Sequence, residues 1–403
     1  MDDLTADQLA LRDRARALAR EIAPGAAETD RSERYPWHVV RRMTECGFMG
    51  MTIPREFGGA GASYLDAVLV VEELAKVCAV AGRVAVEANM GAIGAVMAYG
   101  SEAQKKLAAG LVLQGDKPAI CITEPEAGSA ATEMRTTAVR KGDRWILNGQ
   151  KTWITGGGIS KLHVIFARAI ENGRELGIGG FIVARNGEDD PRALIVARRI
   201  PSMGLKGMPE AELRFEDLEV PDDMVLRAPG GFAKGFGALM DAYNAQRCGA
   251  ATVALGIAQG AFDEALDYAQ RREQFGRPIA EFQGLQWILA DMAIALDASR
   301  ALIWRAARSA GPAGFPDRML AAQAKVLASD TAIKVTNDAL QLWGAAGYSR
   351  DNPMERHVRD ARMFTIAGGT AQVLRNQIAA KLLGRRLPQT RDGYLQQGAK
   401  AAE

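Results

Sequence analysis

Along the first third of the chain, apolar residues recur at helical spacing. Val68, Val71, Leu74 and Ala75 share one face, behind the capping sequence Ser63-Tyr64-Leu65-Asp66. Thr5-Ala6-Asp7-Gln8 has the form of a capping box and opens an earlier helix through Arg20, and another helix follows Tyr35-Pro36. Residues 47–61, GFMGMTIPREFGGAG, read as a loop. Gly82 is expected to end the helix begun at Ser63, so that Arg83 starts the run Arg83-Val84-Ala85-Val86, and a further helical pattern carries Ile93 and Met97.

From about Pro118 to Leu226 the period changes. Short alternating runs occupy residues 134–140, 144–147, 162–168, 180–183 and 213–215, separated by turn residues, as in a β unit. Asn148-Gly149 has the composition of a two-residue hairpin turn, with Gln150 to Ile154 as the returning strand. After Pro229-Gly230-Gly231 the helical period returns. One long helix is expected from Phe236 to about Arg272, with Gly249, Gly256 and Gly260 marking close helix packing rather than breaks. Further helices cover residues 281–309 and a third stretch to about Leu342. Asn352-Pro353 predicts a cap and a first-turn proline, and Gly369-Thr370 caps a last helix ending before Gly384. The polar tail after Pro388 is expected to move freely or to cover a neighbour.

Composition narrows the classes. Lys plus Arg is 50 against 48 for Asp plus Glu, a formal net charge of +2, which argues against a dedicated nucleic-acid or membrane-surface binder. No apolar run is long enough to span a bilayer, and the acidic start MDDLTADQ lacks the features of a targeting peptide. Cys46, Cys78, Cys121 and Cys248 form no CxxC pair, and scattered thiols suit a reducing cytoplasm. His38, His163 and His357 lie far apart without ligand spacing, so no metal is expected.

Candidate chemistry concentrates in residues 121–158. A strand enters the loop Ile122-Thr123-Glu124-Pro125-Glu126-Ala127-Gly128-Ser129, where hydroxyls, an acid and backbone N–H groups crowd together and Gly128 permits close approach of a ligand. Trp153-Ile154-Thr155 then offers a flat aromatic face and a hydroxyl, which suits a planar ligand such as a flavin. Taken alone, the same residues also describe an ordinary hairpin with a core Trp.

This stretch resembles the signature of the acyl-CoA dehydrogenase family. The resemblance extends from about Thr5 to Leu383, with Met203-Gly204-Leu205-Lys206-Gly207, Phe215-Glu216-Asp217 and Arg272-Glu273-Gln274-Phe275-Gly276 in the family's order. It implies an α+β, mainly α fold: an N-terminal helical domain (1–118), a small middle β domain (119–228) and a C-terminal four-helix bundle with a tail (229–403). It also implies bound FAD, an acyl-CoA substrate and a homotetramer. By the resemblance, Ile122, Thr123 and Gly128 contact the flavin, Ser129 meets the cofactor and the CoA arm, Trp153 covers the ring and Thr155 approaches its nitrogen. Arg272 and Phe275, with Gln283, Gln341 and Gly344, would contact the FAD of a neighbouring subunit. Thr370 and Gln372 would close over the cofactor. Tyr243, Asn244 and Arg247 would border the substrate. The chain departs from the family at Ala130, where Asp is usual, and at Ala345, where Gly is usual.

Dehydrogenation of an acyl-CoA needs a positioned carboxylate to take the α-proton. The family places that Glu in one of two seats. Here one is Gly368, within Ile366-Ala367-Gly368-Gly369-Thr370, and the other is Gln246, before Arg247. Neither can accept a proton near neutral pH. Asp241, five residues from Gln246, is expected to point elsewhere. Three readings follow: a different reaction on an acyl-CoA, an unrecognised base, or an inactive flavoprotein. Arg83 bears on the choice, because a guanidinium in an apolar run needs water or an anionic partner. It could reach solvent, pair with Glu87, or hold an anionic acyl tip, since this region borders the acyl end of the pocket in the family's fold. Arg83, Gln246, Gly368 and the phrase Leu387-Pro388-Gln389-Thr390-Arg391-Asp392-Gly393-Tyr394-Leu395 together resemble one member whose reaction needs no Glu base.

Overall fold

Both capping boxes are formed in the computed structural model of the chain, which describes residues 4–185, 192–311 and 314–385. The phrase 387–395, the tail after Pro388 and part of the 311–316 loop lie outside the described residues. The Thr5 hydroxyl accepts from the Gln8 N–H while the Gln8 side chain accepts from the Thr5 N–H, opening α1 (Ala6–Ile22). Ser63 and Asp66 do the same for α4 (Tyr64–Val77). Between them lie α2 (Ala26–Ser32) and α3 (Trp37–Glu45). Helices α5 (Ala79–Met90), α6 (Ala92–Tyr99) and α7 (Glu102–Leu113) complete the N-terminal unit.

Gly82 does not end a helix. The break falls at Cys78, and Gly82 sits inside α5, where a Cβ would lie 2.7 Å from the Ala75 Cβ. Glycine at this point lets α5 fold tightly against α4, so Arg83 is a helical residue rather than the start of a new run.

The middle unit is an eight-stranded sheet of β1 (Ala119–Cys121), β2 (Thr137–Lys141), β3 (Arg144–Thr155), β4 (Leu162–Glu171), β5 (Arg174–Ala184), β6 (Leu194–Ile200), β7 (Glu210–Pro221) and β8 (Val225–Leu226). Its order is β6-β7-β3-β2-β4-β5-β8, with β1 added parallel to β4. The expected Asn148-Gly149 turn is absent: β3 runs straight through it, and the hairpin lies one strand earlier, between β2 and β3 across Lys141↔Arg144. Asn148 instead exchanges hydrogen bonds with Asp217 on β7, and Gly149 (φ +144°) occupies a register shift. A Cβ there would meet the Thr136 hydroxyl at 2.6 Å, so close backbone approach explains the glycine.

The C-terminal unit contains α8 (Gly231–Arg271), α9 (Gln283–Arg308), α10 (Arg318–Trp343), the short α11 (Ala345–Tyr348), α12 (Met354–Arg362) and α13 (Ala371–Leu382). A two-stranded ribbon, β9 (Glu273–Gln274) and β10 (Arg277–Pro278), turns the corner after α8. The α8 glycines serve close packing as expected. A Cβ on Gly249 would lie 2.7 Å from Val86 on α5, and one on Gly260 only 2.1 Å from the Lys76 carbonyl on α4. Thr370 caps α13 by accepting from the Val373 N–H at 3.1 Å. Asn352 does not cap α12, because Pro353 is the cap residue and the Asn352 amide donates to the Ala346 carbonyl.

Candidate functional site

The loop after β1 is held from beneath. Buried Lys151 donates to the Ile122 carbonyl at 3.0 Å and to Glu124 at 2.7 Å, while Glu124 also accepts the Arg135 and Thr136 N–H groups. The Thr152 N–H donates to the Thr123 carbonyl at 2.9 Å, which sets Ile122 and Thr123 beside Trp153. Gly128 and Ser129 are exposed at the loop's outer edge.

Trp153 is not a core residue. The register shift between Lys151 and Ile154 throws it outward, at φ +56° and with 55 % of its surface exposed. A left-handed backbone is unfavourable for a bulky residue, and an exposed indole adds no burial to offset it. Such an arrangement fits a residue shaped to lie on a planar ligand, and Ile122, Thr123, Trp153 and Thr155 together suit a flavin ring. The Thr155 hydroxyl already donates to Glu210, at 2.9 and 3.0 Å from its two oxygens. Burial pushes the Glu210 carboxyl up to about 7, against the opposing pull of Arg83, the Thr155 hydroxyl and Lys117. The Lys117 ammonium donates to the Thr155 carbonyl at 2.8 Å, and its burial drives its own pKa down.

The residues expected at the acyl end meet where α5 crosses α8. Arg83 is buried and its Nη2 lies 2.6 Å from Glu87 Oε1, one helical turn on. Gln246 Nε2, from α8, donates to that same Glu87 oxygen at 2.9 Å. Arg83 Nε and Gln246 Oε1 are both buried and have no hydrogen-bond partner among the described residues. Arg247 donates to Asn244 at 2.7 Å and its guanidinium lies 5.8 Å from the centre of the Tyr243 ring. Asp241 faces away and pairs with Arg318 at 2.8 Å.

Gly368 (φ +73°) has open space where a Cβ would stand, and its N–H makes no backbone hydrogen bond among the described residues. Buried Lys325 anchors the loop by donating to the Gly369 carbonyl at 2.8 Å. Burial, with Arg247 and Arg83 adding repulsion, lowers its ammonium to about 7.

Arg272, Phe275, Gln283, Gln341 and Gly344 gather elsewhere, at one exposed end of the bundle. Tyr268 of α8 stacks on Trp343 of α10 with ring centres 4.3 Å apart, which brings Arg272 toward Gln341 and Gly344. Phe275, at the tip of the ribbon, is 93 % exposed. No hydrogen bond or ring contact among the described residues joins this group to Trp153 or Thr155. Gln372 is exposed on the first turn of α13.

Glu87 enters the sequence reading as a candidate partner of Arg83, and the structure forms that pair across one helical turn. Its contact with Gln246, and Glu210 altogether, are what motif reading passes over. Nothing local in the sequence marks Glu210. Among the described residues no group of His, Cys, Asp and Glu could hold a metal ion.

Family models for the acyl-CoA dehydrogenase N-terminal, middle and C-terminal domains match residues 5–116, 119–218 and 233–383. A protein of Paraburkholderia xenovorans named 3-sulfinopropanoyl-CoA desulfinase is 64 % identical over 392 residues, covering 97 % of this chain and all of the relative. A Variovorax paradoxus protein of the same name is 61 % identical over 401 residues, covering 99 % of this chain and all of that one. Among solved structures, butyryl-CoA dehydrogenase from Megasphaera elsdenii superposes with a TM-score of 0.88 at 32 % identity, covering 95 % of this chain and all of the other.

Proposed function

The chain belongs to the acyl-CoA dehydrogenase family, and from that premise we propose that it converts 3-sulfinopropanoyl-CoA and water to propanoyl-CoA and sulfite. One observation carries the reading beyond the relatives' names: both base seats lack a carboxylate while a buried guanidinium, Arg83, stands beside one of them with a free N–H. A dehydrogenase pocket needs a carboxylate in one of those seats.

The balance requires no oxidant. The C–S bond breaks, sulfur departs as sulfur dioxide, and the electron pair left on carbon takes a proton. Water adds to the sulfur dioxide, giving hydrogensulfite and returning a proton. Arg83 holds the sulfinate oxygens before the bond breaks and stabilises the negative charge that returns to the sulfur oxygens as water adds. Gln246 presents an acceptor for the water. The Gly368 N–H donates to the thioester carbonyl, and Tyr243, Asn244, Arg247 and Ser129 border the acyl-CoA. FAD, when bound, supplies a planar wall and a hydrogen-bonding edge. Ile122, Thr123, Gly128, Ser129, Trp153, Thr155, Thr370 and Gln372 hold it from one subunit, and Arg272, Phe275, Gln283, Gln341 and Gly344 reach it from a neighbour in a homotetramer. Exposed Phe275, Trp287, Ile294 and Tyr348 are apolar surface suited to such an assembly. No helix among the described residues is long and apolar enough to cross a membrane, and four free cysteines fit a cytoplasmic location.

The test is incubation with 3-sulfinopropanoyl-CoA while sulfite and propanoyl-CoA are measured. Release of both in equal amounts is expected, and release of neither ends this reading. A second reading, dehydrogenation with a relocated base, draws on Glu87, a carboxylate hydrogen-bonded to the Gln246 side chain. Turnover of glutaryl-CoA, succinyl-CoA or butyryl-CoA with an electron acceptor at a rate normal for the family would favour it.

A further inference from the structure

We propose that Glu87 is a positioning residue of this site: it clamps Arg83 and Gln246 together and thereby decides which atoms each offers to the substrate. The proposal rests on the desulfination reading for its substrate and on the structure for its geometry.

A carboxylate paired with a guanidinium can only accept hydrogen bonds. Both partners on Glu87 Oε1 must therefore donate. Arg83 spends Nη2 there, at 2.6 Å, and Gln246 spends its amide nitrogen, at 2.9 Å. The amide has two ends, so committing Nε2 to Glu87 leaves Oε1 as the end that remains. This is the end found buried without a partner, and Arg83 Nε is left in the same condition. Arg83, Glu87 and Gln246 are 5 %, 2 % and 3 % exposed, so water outside the protein does not satisfy these atoms. Unpaired buried polar atoms are costly and mark a place where a ligand completes the set. One orphan is a donor and one an acceptor. That combination matches an anionic acyl tip, which accepts from Arg83, and a water, which donates to Gln246. Without Glu87 the amide is free to rotate and Arg83 loses the contact that fixes its plane.

Glu87 also offsets the Arg83 charge. Removing it by Glu87→Gln should strengthen attraction for an anionic tip while loosening its placement. Loss of kcat with no rise in KM distinguishes this from general damage, which would raise KM and weaken binding together.

The experiment uses full-length, FAD-loaded protein. Sulfite release is measured for wild type and Glu87→Gln, and binding of succinyl-CoA, a carboxylate-tipped analogue, is measured by calorimetry. For Glu87→Gln we expect kcat to fall about a hundredfold, the scale of a misplaced reacting group, KM to hold or fall, and succinyl-CoA to bind roughly tenfold tighter. Values of kcat and KM within twofold of wild type overturn the clamp and leave desulfination intact, and weaker succinyl-CoA binding by the folded variant does the same. If wild type releases no sulfite the desulfination reading fails, and the two succinyl-CoA titrations still decide the clamp: tighter binding in the variant supports it, equal or weaker binding overturns it. Should Glu87→Gln fail to fold, the exchange Glu87→Gln/Gln246→Glu keeps one carboxylate and one amide in contact. It should bind FAD yet release sulfite slowly, because the acceptor facing the water has become a charged group. A wild-type rate in the exchanged protein overturns the proposal.

Discussion

Arg83→Lys keeps a positive charge on α5 but removes the planar fork that can serve Glu87 and a sulfinate at once. Sulfite release is expected to fall about a hundredfold or more, on the scale of losing one transition-state donor, and Arg83→Ala should abolish it. An Arg83→Ala protein as fast as wild type would remove Arg83 from the chemistry. Gln246→Glu refills a dehydrogenase base seat, but the new carboxylate would face Glu87 and an anionic substrate, so it too should lose sulfite release. Glu210 makes a separate prediction about pH. Its folded pKa is raised to about 7, chiefly by burial, above the ordinary carboxyl value of 4.5. Any contribution it makes to stability is therefore complete below about 4.5 and lost as pH rises through about 7, where the native state must ionise a buried acid. Glu210→Gln should melt with a smaller drop than wild type between pH 5 and pH 8. Equal drops in the two proteins would show that Glu210 does not titrate in that window.

At the scale of elements, the site depends on how closely α5 lies on α8. Val86 of α5 packs against Gly249, three residues after Gln246 on α8. Gly249→Ala adds a Cβ 2.7 Å from the Val86 side chain and must push the helices apart. Overpacking of this kind costs about 1–3 kcal/mol. The same displacement stretches the Gln246–Glu87 hydrogen bond. Thermal melting and sulfite release should therefore fall together in Gly249→Ala. In Gly284→Ala, at an α9 position with nothing within 4 Å of a Cβ, both should stay near wild type. Equal behaviour of the two variants would mean that the α5–α8 spacing does not control the site.

For the whole molecule, the proposed division of cofactor contacts between two separated groups predicts that FAD occupancy depends on assembly. Arg272→Ala alters an exposed corner far in sequence from Trp153, so the subunit fold should be retained. The purified variant should nevertheless lose yellow colour and bind FAD at least about tenfold more weakly, the effect of removing one charge-assisted phosphate contact. Full occupancy in Arg272→Ala, or in a form shown by light scattering to be monomeric, would contradict a site shared between subunits.

The alternation of periods along the chain determined the succession of helices, strands and helices, and the two capping boxes needed only neighbours three residues apart. That Gly368 and Gln246 themselves cannot take a proton was equally legible, because residue type alone decides it. Local patterns misled where a residue's role is set by something distant. Gly82 reads as a helix stop and is a packing contact with Ala75; Asn148-Gly149 reads as a turn and is a bulge facing Thr136 and Asp217. Only the tertiary structure could bring Glu87 to Gln246, 159 residues away, or set Glu210 against Thr155, 55 residues away. Periodicity records which face of an element is buried. It carries no record of which buried polar groups will meet, because that depends on helix crossings and strand register assembled from the whole chain.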